Sequence, residues 1–269
     1  NRAACAIAVF GVGMSNEDCG QDSGTGQPCT VGEQSADDKK TIAELTKKVA
    51  MLEKKLEIVG SITRHDVLNQ MTVIIGYNEL LWTMVEDPKL RGFVETVRFA
   101  LNKIRRQFQF SKDYQNIAVD PPRWQNIRNL AHRVSQDFEV KKVRITADTG
   151  TASVLADPLF DRVLYHIFDN ALRHGEMVTG ITISLQTTGM SGLLLVENNG
   201  AGIPVTEKEK IFERGYGRGT GWGLFLAREI LAATGMTIAE TGEPGKGVRF
   251  EIVLPPGSFF LDGGDIPGP

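Results

Sequence analysis

The chain contains no run of about 18 or more apolar residues, the length that a membrane-spanning helix requires. It also lacks an excess of either charge, because 30 Lys and Arg face 33 Asp and Glu and leave a formal net charge of −3. We therefore expect no nucleic-acid partner and no membrane contact within these 269 residues. Hydrophobic residues make up 41% of the chain and charged residues 23%, as in ordinary globular proteins of one or two domains.

Cysteine is scarce, and its three occurrences, Cys5, Cys19 and Cys29, all lie within the first thirty residues. An odd number without paired C-x-x-C spacing argues against a disulfide framework and against a zinc site. A reducing, cytoplasmic setting fits this usage. A metal or redox role for these cysteines and no role at all remain the two alternatives.

The first 59 residues divide into two parts. Residues 1–38 are rich in Gly, Ser, Asp and Gln and predict a poorly ordered leader or the last strands of a truncated upstream domain. Residues 39–59 carry apolar side chains at alternating steps of three and four, which predicts a parallel coiled coil. The seam consists of Ile42, Leu45, Val49, Leu52, Leu56 and Val59. The alternative, a solitary amphipathic helix, would leave this stripe in water at a cost of about 25 cal/mol per Å².

Residues 60–118 predict a hairpin of two long helices. Asp87 is placed to cap the second helix, with Pro88 at its first position. One face of that helix is apolar at near-helical spacing, through Phe93, Val97, Leu101, Ile104 and Phe108. Pairing of two chains into a four-helix bundle, continuous with the coiled coil, would bury this face.

The sequence Asp120-Pro121-Pro122 ends the helical pattern, so we place a second domain at residues 119–256 and a frayed tail at 257–269. Helices are predicted at 125–139, 158–174 and 222–234. Strands are predicted at 142–147, 153–156, 179–187, 192–198, 236–241 and 247–254. Hairpin strands with helices between them indicate an α+β fold, an antiparallel-rich α/β sandwich rather than a Rossmann fold.

Two helical segments carry polar residues suited to phosphoryl chemistry. His65 is followed by Asp66, with Asn69 one helical turn on, and a carboxylate beside an imidazole can orient the ring and accept its proton. On a later helix Asn170, Arg173 and His174 share a face. An amide oxygen can bind Mg²⁺, and a cation three residues on can contact phosphate oxygens. Each set taken alone is also common on solvated helix surfaces.

Glycine is concentrated in the segments 197–204 and 215–224, the second of which leads directly into a helix. Glycines let backbone N–H groups approach phosphates, and a helix N-terminus favours anions. The pattern G-x-x-x-x-G-K-[ST] is absent, and neither segment has the strand–G-x-G-x-x-G–helix context. These segments therefore indicate a nucleotide site of another kind.

Five motifs in this order resemble the sensor histidine kinases of two-component signalling. They are RHDVLN, YHIFDNALRH, ENNGAGIP, KIFERGYG and GTGWGLFL, within residues 40–254. The resemblance implies a dimerisation and histidine-phosphotransfer hairpin followed by a Bergerat-fold ATP-binding domain with a short lid. It implies ATP and Mg²⁺ as ligands, a homodimer, and a response-regulator receiver domain as partner. The expected location is the cytoplasm, or the cytoplasmic part of a membrane-bound sensor.

The resemblance also implies roles for single residues. His65 would be the phosphoacceptor, Asp66 the neighbouring acid or base, and Asn170 the Mg²⁺ ligand. The implied nucleotide site comprises Asn170, Arg173, His174, Asn198, Gly200, Gly202, Phe212, Gly219, Thr220, Gly221 and Gly223. Asn69 lies where Thr or Asn is common in members that also dephosphorylate their regulator. A polar residue on a solvated helix face is the alternative interpretation of Asn69.

Three residues depart from the family pattern: His166 replaces an earlier Asn, Asn198 replaces an Asp that accepts from the adenine amino group, and Trp222 replaces a Leu. Loss of the carboxylate at position 198 would weaken nucleotide binding by about 1–2 kcal/mol, or roughly 5–30-fold. This departure motivates the alternative of a degenerate kinase that acts as a dimeric binding module. A further alternative, another ATPase of the same fold, lacks the helical His-Asp-x-x-Asn that precedes the ATP domain here.

Overall fold

A computed structural model describes the backbone of residues 31–138, 143–174, 178–217 and 220–261, and the side chains in these ranges except 31–37, 57, 59 and 61–64. Residues 1–30 of the predicted leader, with all three cysteines, lie outside the described residues. Residues 31–38 are helical rather than irregular, because after Gly32 this stretch has no helix breaker and contains strong helix formers such as Glu33 and Ala36.

Two long helices make up the N-terminal region. Helix α1 spans Val31–Met84 and helix α2 spans Pro88–Asn116. The Oδ1 atom of Asp87 accepts hydrogen bonds from the backbone N–H groups of Lys89, at 2.8 Å, and Leu90, at 3.0 Å. The predicted cap, with Pro88 at the first helical position, is therefore confirmed. No helix among the described residues is both long and apolar enough to cross a membrane.

The chain divides into two compact units, one ending at Glu53 and the other beginning at Lys54. In the first unit the described residues belong to α1, and the predicted seam is exposed along it: Ile42 is 63% exposed and Leu52 48%. In the second unit Met71, Val94 and Leu101 are buried. The Nδ2 group of Asn78, also buried, donates to the carbonyl oxygen of Val94 at 3.1 Å and so ties α1 to α2.

The predicted apolar face of α2 is only partly covered in the single chain. Leu101 is buried, whereas Phe93, Val97 and Ile104 are 59%, 44% and 38% exposed. Exposed aliphatic and aromatic side chains repeated along one helix are typical of a surface that another chain covers.

The rest of the second unit is an α/β sandwich, as predicted, and its described residues form two sheets. A five-stranded sheet has the order β2 (Arg144–Asp148), β4 (Gly180–Thr188), β5 (Ser191–Asn198), β7 (Val248–Leu254), β6 (Thr237–Glu240). Only the β2–β4 pair in this sheet is parallel. A three-stranded antiparallel sheet has the order β1 (Arg123–Asn126), β3 (Ser153–Ala156), β8 (Phe259–Phe260).

Three helices share one apolar core with these strands: α3 (Ile127–Gln136), α4 (Phe160–His174) and α5 (Gly223–Ala232). Alternate residues of the strands face this core, such as Ile181 and Ile183 of β4 and Phe250 and Ile252 of β7. Burial on one face of the sheet is what period-2 patterning predicts. The first glycine-rich segment follows the end of β5, and the second leads directly into α5.

Two further sequence predictions are wrong. Residues 125 and 126 are the end of strand β1 rather than the start of a helix, because the side chain of Asn126 accepts from the backbone N–H of Asn129 at 2.9 Å and so caps α3 at the next residue. The tail is not frayed at 259–260. There the ring of Phe260 lies edge-on to Trp124 with centroids 4.9 Å apart, and Leu155 N–H donates to the carbonyl of Ser258 at 2.7 Å.

Candidate functional site

The predicted phosphoacceptor lies on the exposed surface of α1 with both of its predicted neighbours. The Nδ1 atom of His65 is 3.2 Å from Oδ1 of Asp66, and the two side chains are 75% and 72% exposed. The amide nitrogen of Asn69 lies 3.3 Å from Nδ1 and 3.4 Å from Nε2 of the same imidazole. In the tautomer that carries its proton on Nδ1, the imidazole donates to Asp66 and has its lone pair on Nε2, 3.4 Å from the amide nitrogen of Asn69.

Helix α4 carries the second predicted set. Asn170 is half-buried, and Arg173 and His174 are exposed near the end of the helix. The Arg173 guanidinium donates through Nε to Asp169 at 2.6 Å, so one side of it is already bound to a carboxylate. A phosphate contact from Arg173 would use the guanidinium nitrogens beyond that ion pair.

The first glycine-rich segment is a tight turn at the end of β5. The Oδ1 atom of buried Asn198 accepts from the N–H of Gly200 at 2.9 Å. Gly202 has a φ of +80°, and a Cβ there would lie 2.9 Å from the nitrogen of Gly245. The N–H of Gly245 in turn donates to the carbonyl of Ala201 at 2.8 Å. Only glycine fits at position 202, because the turn packs directly on the loop before β7.

Sequence analysis missed two residues that hold this turn. A Cβ at Gly247 would lie 2.0 Å from the carbonyl oxygen of Asn198, so the backbone before β7 is in contact with the turn. The Oδ1 atom of Asn199 accepts from the N–H groups of Thr179, at 3.0 Å, and Gly180, at 3.2 Å. The doubled Asn of ENNG offered a local signal for Asn199. The role of Gly247 depends on a contact some fifty residues away in sequence.

The second glycine-rich segment closes on itself before α5. The N–H of Gly215 donates to the carbonyl of Gly221 at 2.9 Å, and a Cβ at Gly221, where φ is +64°, would lie 2.4 Å from the carbonyl carbon of Gly215. Thr220 is half-buried in this loop, and Gly219 lies outside the described residues. Helix α5 begins at Gly223, and its N-cap residue Trp222 makes no side-chain capping bond.

The uncapped first turn of α5 suits a phosphate group. Its N–H groups have no intrahelical acceptor, and the helix dipole favours negative charge there. Two positions where a Cβ would collide with neighbouring backbone, Gly202 and Gly221, lie in the two glycine-rich segments. Asn170 adds an amide oxygen, which together with phosphate oxygens and water suits Mg²⁺. The residues present therefore fit a nucleoside triphosphate with its metal.

Phe212 is an interior residue, and His166 is half-buried with its Nε2 atom inside the protein. Phe212 is 2% exposed, and its ring lies 6.1 Å from that of Phe250. Burial lowers the pKa of His166 to about 4, with the nearby Asp169 opposing and Arg162 and Arg173 reinforcing the shift. The Nε2 atom of His166 is buried without a partner among the described residues, and Nδ1 would lie 3.0 Å from a Cβ at Gly223. His166 is therefore a neutral residue beneath the start of α5.

Comparison with known proteins identifies relatives for this arrangement. The family model "Histidine kinase-, DNA gyrase B-, and HSP90-like ATPase" matches residues 156–258. The alginate biosynthesis sensor protein KinB of Pseudomonas aeruginosa is 39% identical over 100 residues, which are 35% of this chain and 17% of that protein. The sensor histidine kinase WalK of Bacillus subtilis is 23% identical over 241 residues, which are 80% of this chain and 39% of that protein.

A solved structure supports the fold. Full-length ShkA in complex with AMPPNP superposes with a TM-score of 0.56 at 19% identity, covering 74% of this chain and 46% of that one. At that identity the likeness concerns the fold, a helical region followed by an α/β ATP-binding domain. This chain thus spans less than half the length of each of these relatives.

Proposed function

We propose that this chain is a sensor histidine kinase of two-component signalling, which its HATPase match and its sensor-kinase relatives support, and that it transfers the γ-phosphoryl group of ATP to Nε2 of His65. The observation that carries the proposal is the geometry around this imidazole. A carboxylate lies 3.2 Å from Nδ1, and the side chain is exposed on α1, the first helix of the hairpin that precedes the ATP-binding domain. In the tautomer that donates from Nδ1 to Asp66, Nε2 carries the lone pair that a nucleophile requires.

The proposed transfer balances as a displacement at phosphorus. Nε2 of His65 forms the new P–N bond, the bond from phosphorus to the β–γ bridging oxygen breaks, and ADP leaves. Asp66 holds the Nδ1 proton throughout and stabilises the positive charge that the imidazole gains. The first-turn N–H groups of α5 and the turns at Gly202 and Gly221 would bind the phosphates. Asn170 would hold Mg²⁺, which neutralises charge on the phosphate oxygens.

The His65 assignment is tested by His65→Gln in the full chain. The variant should incorporate no acid-labile phosphate from labelled ATP while binding ATP as tightly as the wild type in calorimetry. His132, an exposed histidine of the ATP-binding domain, offers the matched control, and His132→Gln should incorporate phosphate normally. Undiminished labelling of His65→Gln would overturn the assignment.

We further propose that the kinase acts as a homodimer through α1 and the hairpin. Support comes from the exposed seam of α1 and the exposed residues of the apolar face of α2. Leu52→Lys should weaken the dimer because it places a charge in the seam, while Lys48→Ala on the polar face should not. Light scattering measures the mass, and a Leu52→Lys protein that remains fully dimeric at low micromolar concentration would contradict this interface.

The partner that we propose is the receiver domain of a response regulator, to which phospho-His65 passes its phosphoryl group. Asn69 supports a phosphatase activity on the same partner, because its amide lies 3.4 Å from Nε2 and can orient a water in line with an aspartyl phosphate. With purified phospho-regulator and a non-hydrolysable ATP analogue, the wild type should accelerate phosphate loss. Asn69→Ala should lose that acceleration and still phosphorylate His65, and equal dephosphorylation by both proteins would remove this role.

A dimeric binding module without kinase activity is the second candidate. The observation in its favour is Asn198, whose amide oxygen already accepts from Gly200 N–H and carries no charge. An ATP titration combined with phosphate incorporation distinguishes the two. Nucleotide binding without any labelling of His65 would support the binding module, and labelling would exclude it.

A further inference from the structure

An ion pair inside the ATP-binding domain joins the segment after the first glycine-rich turn to the end of β6. The Nζ atom of Lys208 lies 2.8 Å from Oε2 of Glu240, and the side chain of Glu240 is fully buried while that of Lys208 is 18% exposed. Nζ also donates to the carbonyl oxygen of Gly242. Apolar side chains of similar volume can replace a buried ion pair without loss of stability, so what this pair specifically supplies is a set of directed bonds.

The carboxylate of Glu240 also holds both ends of the loop between β6 and β7. Its Oε1 atom accepts from the N–H of Gly242 at 2.9 Å and from the N–H of Arg249 at 3.2 Å. A Cβ at Gly242 would lie 2.7 Å from Oε1, so the carboxylate is in contact with the backbone there. We call residues 241–247 the β6–β7 loop. One buried side chain thus binds the start of this loop, the strand that follows it and Lys208.

The β6–β7 loop is the part of the chain on which the first glycine-rich turn packs. The N–H of Gly245 donates to the carbonyl oxygen of Ala201 at 2.8 Å. At Gly247 a Cβ would lie 2.0 Å from the carbonyl oxygen of Asn198, so the two backbones are in direct contact. A displacement of the loop would therefore displace the turn as well, and with it the residues of the candidate nucleotide site that the turn carries.

The ion pair closes a ring of contacts around this turn. From Gly202 the chain continues through Pro204 and a short 3₁₀ helix at Val205–Glu207 to Lys208. The ion pair connects Lys208 to Glu240, Glu240 holds the β6–β7 loop, and the loop packs back on the turn. The turn and the loop are therefore connected by two routes, their direct backbone contacts and the ion pair.

Resting on the function proposed above, we propose that Lys208 and Glu240 are positioning residues for ATP binding. They act through the β6–β7 loop, which they hold against the turn that carries Asn198 and Gly202, and so keep this turn in the form that binds nucleotide. Without the ion pair only a fraction of the molecules has the turn formed, and the apparent dissociation constant of ATP rises by the reciprocal of that fraction. Once ATP saturates the site the turn is formed in every molecule, so the rate of transfer to His65 does not change.

The first test removes the ion pair and keeps the other bonds of residue 240. In the full chain with Lys208→Met and Glu240→Gln, the glutamine oxygen can accept from the N–H groups of Gly242 and Arg249, whereas the methionine has no donor for residue 240. No buried charge is left unpaired, so the urea midpoint should stay close to that of the wild type. The dissociation constant of ATP in calorimetry should rise about five- to tenfold, the factor expected for one charge-assisted hydrogen bond. Phosphorylation of His65 at saturating ATP should proceed at the wild-type rate.

The same loop offers a matched control. Lys246 and Glu243 form an ion pair of 2.6 Å, but their side chains are 76% and 70% exposed. The variant with Lys246→Met and Glu243→Gln removes the same two charges from the same part of the domain. Because an exposed ion pair holds its surroundings weakly, this variant should bind ATP as tightly as the wild type.

Amide hydrogen exchange, measured by NMR without nucleotide, follows the loop directly. The N–H of Gly245, which donates to Ala201, should exchange faster in the variant with Lys208→Met and Glu240→Gln than in the wild type. An unchanged affinity for ATP in that variant would overturn the positioning role alone. Failure of the variant to fold would overturn it too, because the ion pair would then be required by the fold itself. Absence of ATP binding in the wild type would instead refute the proposed function.

Discussion

Acidification should destabilise this protein through His166. Burial lowers the pKa of this imidazole to about 4 in the folded chain, while an imidazole in an unfolded chain titrates near about 6.5. At pH values between these two pKa values, His166 is protonated in the unfolded state and neutral in the folded state. The free energy of unfolding therefore rises with pH across this window and falls as the pH is lowered from about 7 toward 4.

The magnitude follows from the two pKa values. Near pH 7 both states are largely neutral at His166, whereas at pH 5 the unfolded state is mostly protonated and the folded state is not. The resulting loss of unfolding free energy between pH 7 and pH 5 is about 2 kcal/mol. Asp113 acts in the opposite sense, because burial raises the pKa of its carboxyl. The contribution of His166 to the pH dependence of the unfolding free energy must therefore be measured with a variant that changes His166 and keeps Asp113.

Urea unfolding at pH 7, 6 and 5, followed by circular dichroism, measures this effect in the wild type and in His166→Asn. The variant should lose about 2 kcal/mol less over this range than the wild type, whatever its stability at pH 7. His132→Asn, at an exposed histidine of the same domain, should follow the wild type. Parallel pH dependence of the wild type and His166→Asn would show that the buried imidazole is not the source of acid sensitivity.

Three further substitutions test the site and its support. Gly221→Ala should reduce ATP affinity at least about tenfold, whereas Gly189→Ala, at a similar φ of +62° but with open space around its Cβ, should leave affinity unchanged in calorimetry. Asp157→Ala should lower the unfolding free energy by about 1–3 kcal/mol in urea titrations, because two backbone N–H groups lose a buried acceptor. Asn198→Asp should tighten ATP binding several-fold, and unchanged or weaker binding would contradict a base contact at this position.

Periodic patterns carried most of the fold prediction. The steps of three and four along α1 and the capping pair Asp87-Pro88 depend on residues within one or two turns, and so could be read directly from the sequence. Strand β3 lies at the predicted residues 153–156, and β5 ends at Asn198 as predicted. The candidate site was also predictable in part, because the order of glycine-rich segments and helices along the sequence indicates a nucleotide-binding domain.

The features that sequence analysis missed depend on contacts between distant residues. Phe260 is a strand residue that packs against Trp124, and the Pro- and Gly-rich sequence of the tail does not predict this contact. The contact of Gly247 with Asn198 and the contact of Phe110 with Trp222 are likewise not predictable from the neighbouring sequence. Trp222 departs from the family pattern, and the side chain that it packs against, Phe110, lies on a helix more than a hundred residues earlier. Local propensity cannot carry such information.

The hydrogen bond from Gly200 N–H to Asn198 explains how a neutral residue can keep the turn intact at the end of β5. An aspartate would accept the same bond through one carboxylate oxygen, so the shape of the turn does not depend on the charge at position 198. An amide oxygen has two acceptor sites, and the second remains suited to an adenine amino group. Exchange of Asn198 for Asp therefore changes the charge while it leaves the backbone in place. Any change in nucleotide affinity can then be assigned to the proposed base contact rather than to a rebuilt loop.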